Sequence, residues 1–327
     1  MGKNFRDMNR VDSVVITKRG KSSESSKDNT FKETSINSGK VSIFLKYNYS
    51  SKERPNRQTI LFVHGYPDDH RTWSYQLDAL CEEYNVAALD LRGAGKSSKP
   101  EEQKSYNVRR IFEDLEAVIR FLGNEKPVHL VAHDWGALIC WAFVGDKRYS
   151  RFIKSYTAMG GPHPILAKKS IFRLLFSINP VSIWKALTQA RKSWYIIFFQ
   201  IPFLPELSWK LFPKFLWKMA MNLGGVPKDD SLRSKTKEEI LASALWPMNL
   251  YRELLRGEKF PVPEHIEPPV QVFIPVNDFA IRPESYKLHK EVCASYREFR
   301  FNSNHWIQRV LPGLITEKIK EFVWETG

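Results

Sequence analysis

Apolar positions along this chain follow two rhythms, and the change from one to the other marks its organisation. Residues 1–29 are polar, rich in Lys, Ser and Asp, and carry neither rhythm, which predicts a flexible polar and basic tail. Residues 31–37 and 40–49 read as strands joined at Ser38-Gly39 in a hairpin. From residue 59 onward, short continuous apolar runs at 59–63, 86–91, 128–132 and 152–159 alternate with stretches of helical period. Helices are expected over 69–84, 105–122 and 135–144, and in the second of these Ile111, Leu115, Val118 and Leu122 share one face. Wholly apolar strands between helices call for a mostly parallel sheet covered on both sides, the α/β class.

The alternation stops at about residue 162. Residues 162–262 are helical, aromatic and punctuated by Pro180, Pro202, Pro205, Pro213 and Pro247. It resumes with a strand at 270–276, a helix near 284–292, a strand at 298–302 and a last helix over 311–324. The pattern predicts one α/β core, 30–161 and 263–327, interrupted by a helical cap at 162–262.

Composition narrows the function classes. A hydrophobic content of 43% belongs to a globular protein, and no run of about 18 apolar residues offers a membrane-spanning helix. Met1 to Arg6 contain no apolar signal core. Cys81, Cys140 and Cys293 are too far apart in sequence for a disulfide framework or a zinc site, so no metal and a cytoplasmic setting are expected. The net charge of +14 is concentrated: residues 162–218 hold nine Lys/Arg against one acid, Glu206, together with twelve aromatic residues. No nucleic-acid motif accompanies that charge. It reads as a solvated basic face, or as a surface that leans on anionic lipid, peripheral to a membrane.

The chemistry centres on Val128-His129-Leu130-Val131-Ala132-His133-Asp134-Trp135-Gly136-Ala137, a strand, a tight turn and a helix. Ala132 and Gly136 flank Asp134 at minus two and plus two, the layout of a nucleophile elbow with Asp in place of the usual Ser. An aspartate capping a helix would look similar in isolation. Three further segments bear on the choice. His64-Gly65-Tyr66-Pro67 follows the 59–63 strand, where this architecture supplies one backbone N–H of an oxyanion hole. The donors would be Tyr66 and Trp135, with His64, Gly65 and Pro67 supporting the loop. Asp278 ends the strand after the helical stretch, and His305 follows in Asn304-His305-Trp306, giving the order nucleophile, acid, histidine. The run Leu91-Arg92-Gly93-Ala94-Gly95-Lys96-Ser97 lacks phosphate-loop spacing and reads as a structural turn.

Taken together, VAHDWG, HGYP, DLRGAGKSS and NHW resemble the α/β-hydrolase fold family, and within it the epoxide hydrolases of the soluble and microbial type, relatives of the haloalkane dehalogenases. The resemblance covers residues 55–325 and departs mildly at Ala132, where Gly is more usual. It implies an α/β-hydrolase fold with an inserted cap. It also implies two cap tyrosines that hold an epoxide oxygen, and the segments around Tyr195 and Tyr251 are similar to those that carry them. Dehalogenases favour Asn at the position of Tyr66. The implied activity is hydrolysis of an apolar epoxide to a diol through an ester on Asp134, with His305 and Asp278 activating water and no cofactor. A dehalogenase or another hydrolase with a carboxylate nucleophile, and a non-catalytic binding relative, remain the alternatives.

Overall fold

The computed structural model describes residues 31–124 and 126–327, so the tail read at 1–29 lies outside the described residues. Eight strands form one sheet in the order β1-β2-β4-β3-β5-β6-β7-β8. β1 (Lys32–Ser38) and β2 (Val41–Tyr47) pair antiparallel through a turn at Gly39, whose φ of +59° suits a residue without a Cβ. β2 joins β4 (Asn85–Leu89) antiparallel. The remaining neighbours are parallel: β3 (Thr59–Val63), β5 (Val128–His133), β6 (Ile153–Met159), β7 (Val270–Pro275) and β8 (Tyr296–Phe301).

Every residue of β3, β4, β5 and β7 is buried, as a sheet covered on both faces requires. Alternate side chains of these strands serve two separate cores. Leu61, Val63, Leu130 and Ala132 pack with α2 (Val108–Gly123) and α3 (Trp135–Val144) on one side. Ile60, Phe62 and Val131 pack with α1 (Ser74–Leu80) and α13 (Pro312–Thr326) on the other. Two short helices, α4 (Lys147–Ser150) and α12 (Ile307–Val310), follow α3 and β8.

Three expected helices are shorter than their periodicity implied. The 69–84 stretch is a single turn, His70–Trp73, and then α1, because the Asp69 carboxylate bonds the Arg71 N–H and starts a tight turn. The 105–122 stretch breaks at Asn107, whose side chain accepts the Arg109 N–H at 2.9 Å and opens α2. The helix expected at 284–292 is two separate turns, Pro283–Tyr286 and His289–Val292. There the buried His289 accepts the His163 N–H at 2.7 Å while its Nδ1 meets the Tyr286 carbonyl at 3.2 Å, side-chain bonds that take the place of a helical ladder.

Between β6 and β7 the chain makes seven helices: α5 (Pro164–Leu175), α6 (Pro180–Lys192), α7 (Trp194–Phe198), α8 (Leu204–Leu211), α9 (Pro213–Leu223), α10 (Lys237–Ala244) and α11 (Asn249–Arg256). Proline stands in the first turn of α5, α6, α8 and α9, where its missing N–H costs nothing.

Candidate active site

Asp134 sits in the turn between β5 and α3 at φ +51°, ψ −122°, a region that costs a residue with a Cβ about 1–3 kcal/mol. The turn closes only because its neighbours are small. A Cβ on Gly136 would meet the His64 carbonyl oxygen at 2.4 Å, and one on Gly65 would meet Asp134 Oδ1 at 2.3 Å. Although Asp134 precedes α3, its side chain caps no helical N–H. Its Oδ1 instead accepts the Tyr66 backbone N–H at 2.7 Å, and its Oδ2 lies 3.4 Å from His305 Nε2. The N–H of Trp135 opens α3 and, as a first-turn amide, has no carbonyl within its own helix to bond.

On the far side of the imidazole, His305 Nδ1 meets Asp278 Oδ2 at 2.7 Å. Asp278 is itself held, its Oδ1 accepting the N–H groups of Ala280 at 2.7 Å and Ile281 at 3.1 Å. His305 thus lies between two carboxylates. Burial pushes its pKa down, but Asp278 and Asp134 more than offset this and raise it to about 10. Burial pushes Asp134 up, and the outcome is reversed by His305, with help from His133 and the Tyr66 N–H, so its carboxyl stays below the ordinary carboxylate range. Asp134 is therefore ionised at neutral pH, and its side chain keeps 14% of its surface open while Asp278 keeps 1%. Only the first of the two carboxylates is accessible to a substrate.

The supporting loops are fastened by side chains. His64 Nε2 accepts the Leu91 N–H at 2.9 Å, which leaves its Nδ1 to donate to the Gly65 carbonyl at 2.7 Å. Pro67 follows Tyr66 through a cis peptide. Asp68 accepts the Trp306 indole N–H at 2.9 Å and pairs with the buried Lys235 at 2.9 Å, tying the oxyanion loop to the residue after His305. His133 bonds the His305 carbonyl at 3.0 Å, and burial lowers its pKa to about 4, so it stays neutral beside the histidine. Asp68, His133 and Lys235 join the site beyond the residues expected from the sequence. The first two had a signal in their adjacency to HGYP and to Asp134; Lys235 had none.

Asp69, His70 and Asp90 bring ligand-type atoms within 4.8 Å of one another. These carboxylates are already engaged by protein donors. Asp69 takes Arg71 and Lys235, and Asp90 takes the His70 N–H, the His70 ring and the Lys96 N–H. The cluster holds loops, and the DLRGAGKS turn is pinned to it.

The Asp134 carboxylate opens into a cavity of about 270 Å³, and Trp135, Leu138, Tyr195, Ile196 and Tyr251 also line it. α7 supplies Tyr195 and α11 supplies Tyr251; their rings meet edge to face at 5.9 Å, and Tyr251 packs on Trp135 at 4.7 Å. Burial first, and then the nearby charge of Asp134, raise both phenols above their ordinary pKa, so both remain protonated donors. The arrangement therefore presents an ionised carboxylate, a histidine–carboxylate pair beside it, backbone N–H groups behind it, and two phenols in an apolar pocket above it. All seven residues expected to act together converge here.

Residues 58–177 match the family model described as the alpha/beta hydrolase fold. The chain is 25% identical over 291 residues to Epoxide hydrolase 1 of Caenorhabditis elegans, covering 85% of this chain and 68% of that protein. It is 27% identical over 293 residues to Epoxide hydrolase 3 of Xenopus tropicalis, covering 86% and 75%. A Bacillus megaterium epoxide hydrolase mutant complexed with its product superposes with a TM-score of 0.71 at 26% identity, covering 89% of this chain and 99% of that one.

Proposed function

We propose that this chain, which has the α/β-hydrolase fold, hydrolyses epoxides to diols through a covalent ester on Asp134. The observation that carries this reading is the state of Asp134: ionised, open to the cavity, with Oδ1 held by the Tyr66 N–H and Oδ2 facing His305 Nε2 at 3.4 Å. A carboxylate in that position attacks an sp³ carbon from behind. Relatives named epoxide hydrolases support the substrate class.

In the first step Oδ2 bonds to an epoxide carbon as the ring C–O bond breaks. The ring oxygen gathers charge on the opposite side, where the Tyr195 and Tyr251 hydroxyls donate to it and one supplies its proton. In the second step a water attacks the Asp134 carbonyl carbon. The Tyr66 and Trp135 N–H groups hold the oxyanion, His305 takes the water's proton, and the diol leaves with Asp134 regenerated. His305 then returns a proton to the tyrosine. Esterification neutralises Asp134, and so removes one of the two carboxylates that raise His305. The neutral, water-activating imidazole becomes accessible at the step that needs it.

The purified protein should convert a small aryl epoxide to its diol and release no halide from a haloalkane of matching size. Halide release without diol formation would contradict the reading.

A further inference from the structure

Of the 24 large apolar side chains left exposed among the described residues, 18 lie between residues 172 and 223. They are ordered. In α6, Val181, Trp184 and Leu187 follow at three-residue spacing, and in α8 Leu204, Leu207 and Leu211 form a second outward stripe. Each helix has a separate inner face, Ala186 and Gln189 in α6, Pro205 and Trp209 in α8. These helices are therefore already packed, and their second apolar face is surplus to the fold. A soluble monomer seldom exposes contiguous apolar patches beyond a few hundred Å². Phe203 adds a strained backbone, φ +64°, with its side chain 83% exposed.

Charge identifies what covers this face. Residues 162–218 carry nine Lys/Arg against Glu206; Lys185 pairs with Glu284 at 2.9 Å, Arg173 with Glu291 at 3.4 Å, and Glu206 is engaged by Arg252 at 2.7 Å, which still leaves cations in excess. α9, which exposes Phe215 and Met219, also turns Lys214 and Lys218 toward a cavity of about 770 Å³ shared with Lys228 and Arg233. A second copy of the chain would set this positive face against itself. Nucleic acid would use the cations and leave the apolar stripes in water.

We propose that these outward stripes dock on an anionic lipid bilayer at the acyl boundary, with Lys214, Lys218 and Lys228 against headgroup phosphates, Arg233 being held by the Val226 and Pro227 carbonyls. Phe172 belongs both to the exposed face and to the lining of the cavity that holds Asp134. The docked protein would draw an apolar substrate from the lipid; this consequence rests on the hydrolase reading, whereas the docking does not.

Co-sedimentation of the full chain with vesicles of phosphatidylcholine mixed with phosphatidylserine tests the docking without reference to activity. The wild type should pellet at low salt and be released by more than about tenfold at high salt, as screened charges require. Trp184→Asp, Phe203→Asp and Phe215→Asp together should abolish pelleting and leave turnover of a water-soluble epoxide unchanged. Lys214→Glu with Lys218→Glu, which spares the apolar stripes, should weaken pelleting independently. A wild type that stays in the supernatant at low salt overturns the proposal. So does a dimer in sedimentation velocity that the three Asp substitutions dissolve, which would assign the face to a second copy.

Discussion

The ends of the sheet strands and the helices of residues 164–223 treat polarity in opposite ways. Around the strand ends, charges go inside and every one is answered: Arg92 grips both Asp114 oxygens at 2.7 Å, Arg309 is bonded to Asp230, and Lys235 sits between Asp68 and Asp69. In α5 to α9 the charges stay outside and so do most of the large apolar side chains. The difference is one of task. A reacting carboxylate needs donors fixed within tenths of an ångström in a dry environment, which only paired charges and packed strands provide. A surface that meets an apolar phase needs no fixed partner, and its side chains are turned to where that phase lies.

If the contrast holds, two tryptophans only 33 positions apart should behave as opposites. Trp217 is 2% exposed and bonds the Leu232 carbonyl at 3.1 Å, whereas Trp184 is 68% exposed. Trp217→Ala should cost about 3–5 kcal/mol of unfolding free energy by cavity formation. Trp184→Ala should stay within about 0.5 kcal/mol. Urea melts of the two variants decide it, and equal losses would erase the distinction.

The pocket wall where the two regions meet should show the next effect. Tyr195→Phe or Tyr251→Phe keeps the ring and removes one donor to the epoxide oxygen, costing about 2–4 kcal/mol in the transition state, or 10²–10³ in kcat. The double change should abolish epoxide opening with the melting transition preserved. Wild-type turnover in the double variant would make both phenols simple packing residues and end the epoxide-specific part of the account.

A smaller effect sharpens the electrostatic side. The folded pKa of His305 is raised to about 10 from an ordinary 6.5, so its contribution to stability is fully present below about 6.5 and is lost as pH rises through about 10. The gap in Tm between the wild type and His305→Gln should narrow steadily across that window. A gap that widens with pH would mean the imidazole is not held in its charged form.

The parts of this molecule legible in the sequence are those governed by local pattern. Apolar runs such as Thr59–Val63 announce buried strands, and the small residues around Asp134 announce a turn too tight for a side chain. Long-range pairing left no such trace: nothing in spacing ties Lys235 to Asp68, 167 residues away. Side-chain bonds also overrode period, as at His289, where an expected helix became two turns. The charge and aromatic content of 162–218 was visible, but its orientation was not. α6 is apolar on two faces, and only packing decides that Ala186 turns in and Trp184 turns out.

The central claim is that Asp134 becomes an ester, and intact mass spectrometry of His305→Gln mixed with an epoxide tests it most directly. The neighbouring base is lost while the carboxylate and both phenols remain. Attack should therefore proceed and the second step stall. The expected result is a mass increase equal to the whole epoxide, placed by digestion on the peptide containing Asp134 and absent in Asp134→Asn. An unmodified His305→Gln protein that still forms diol, or an adduct mapped to another residue, would contradict it.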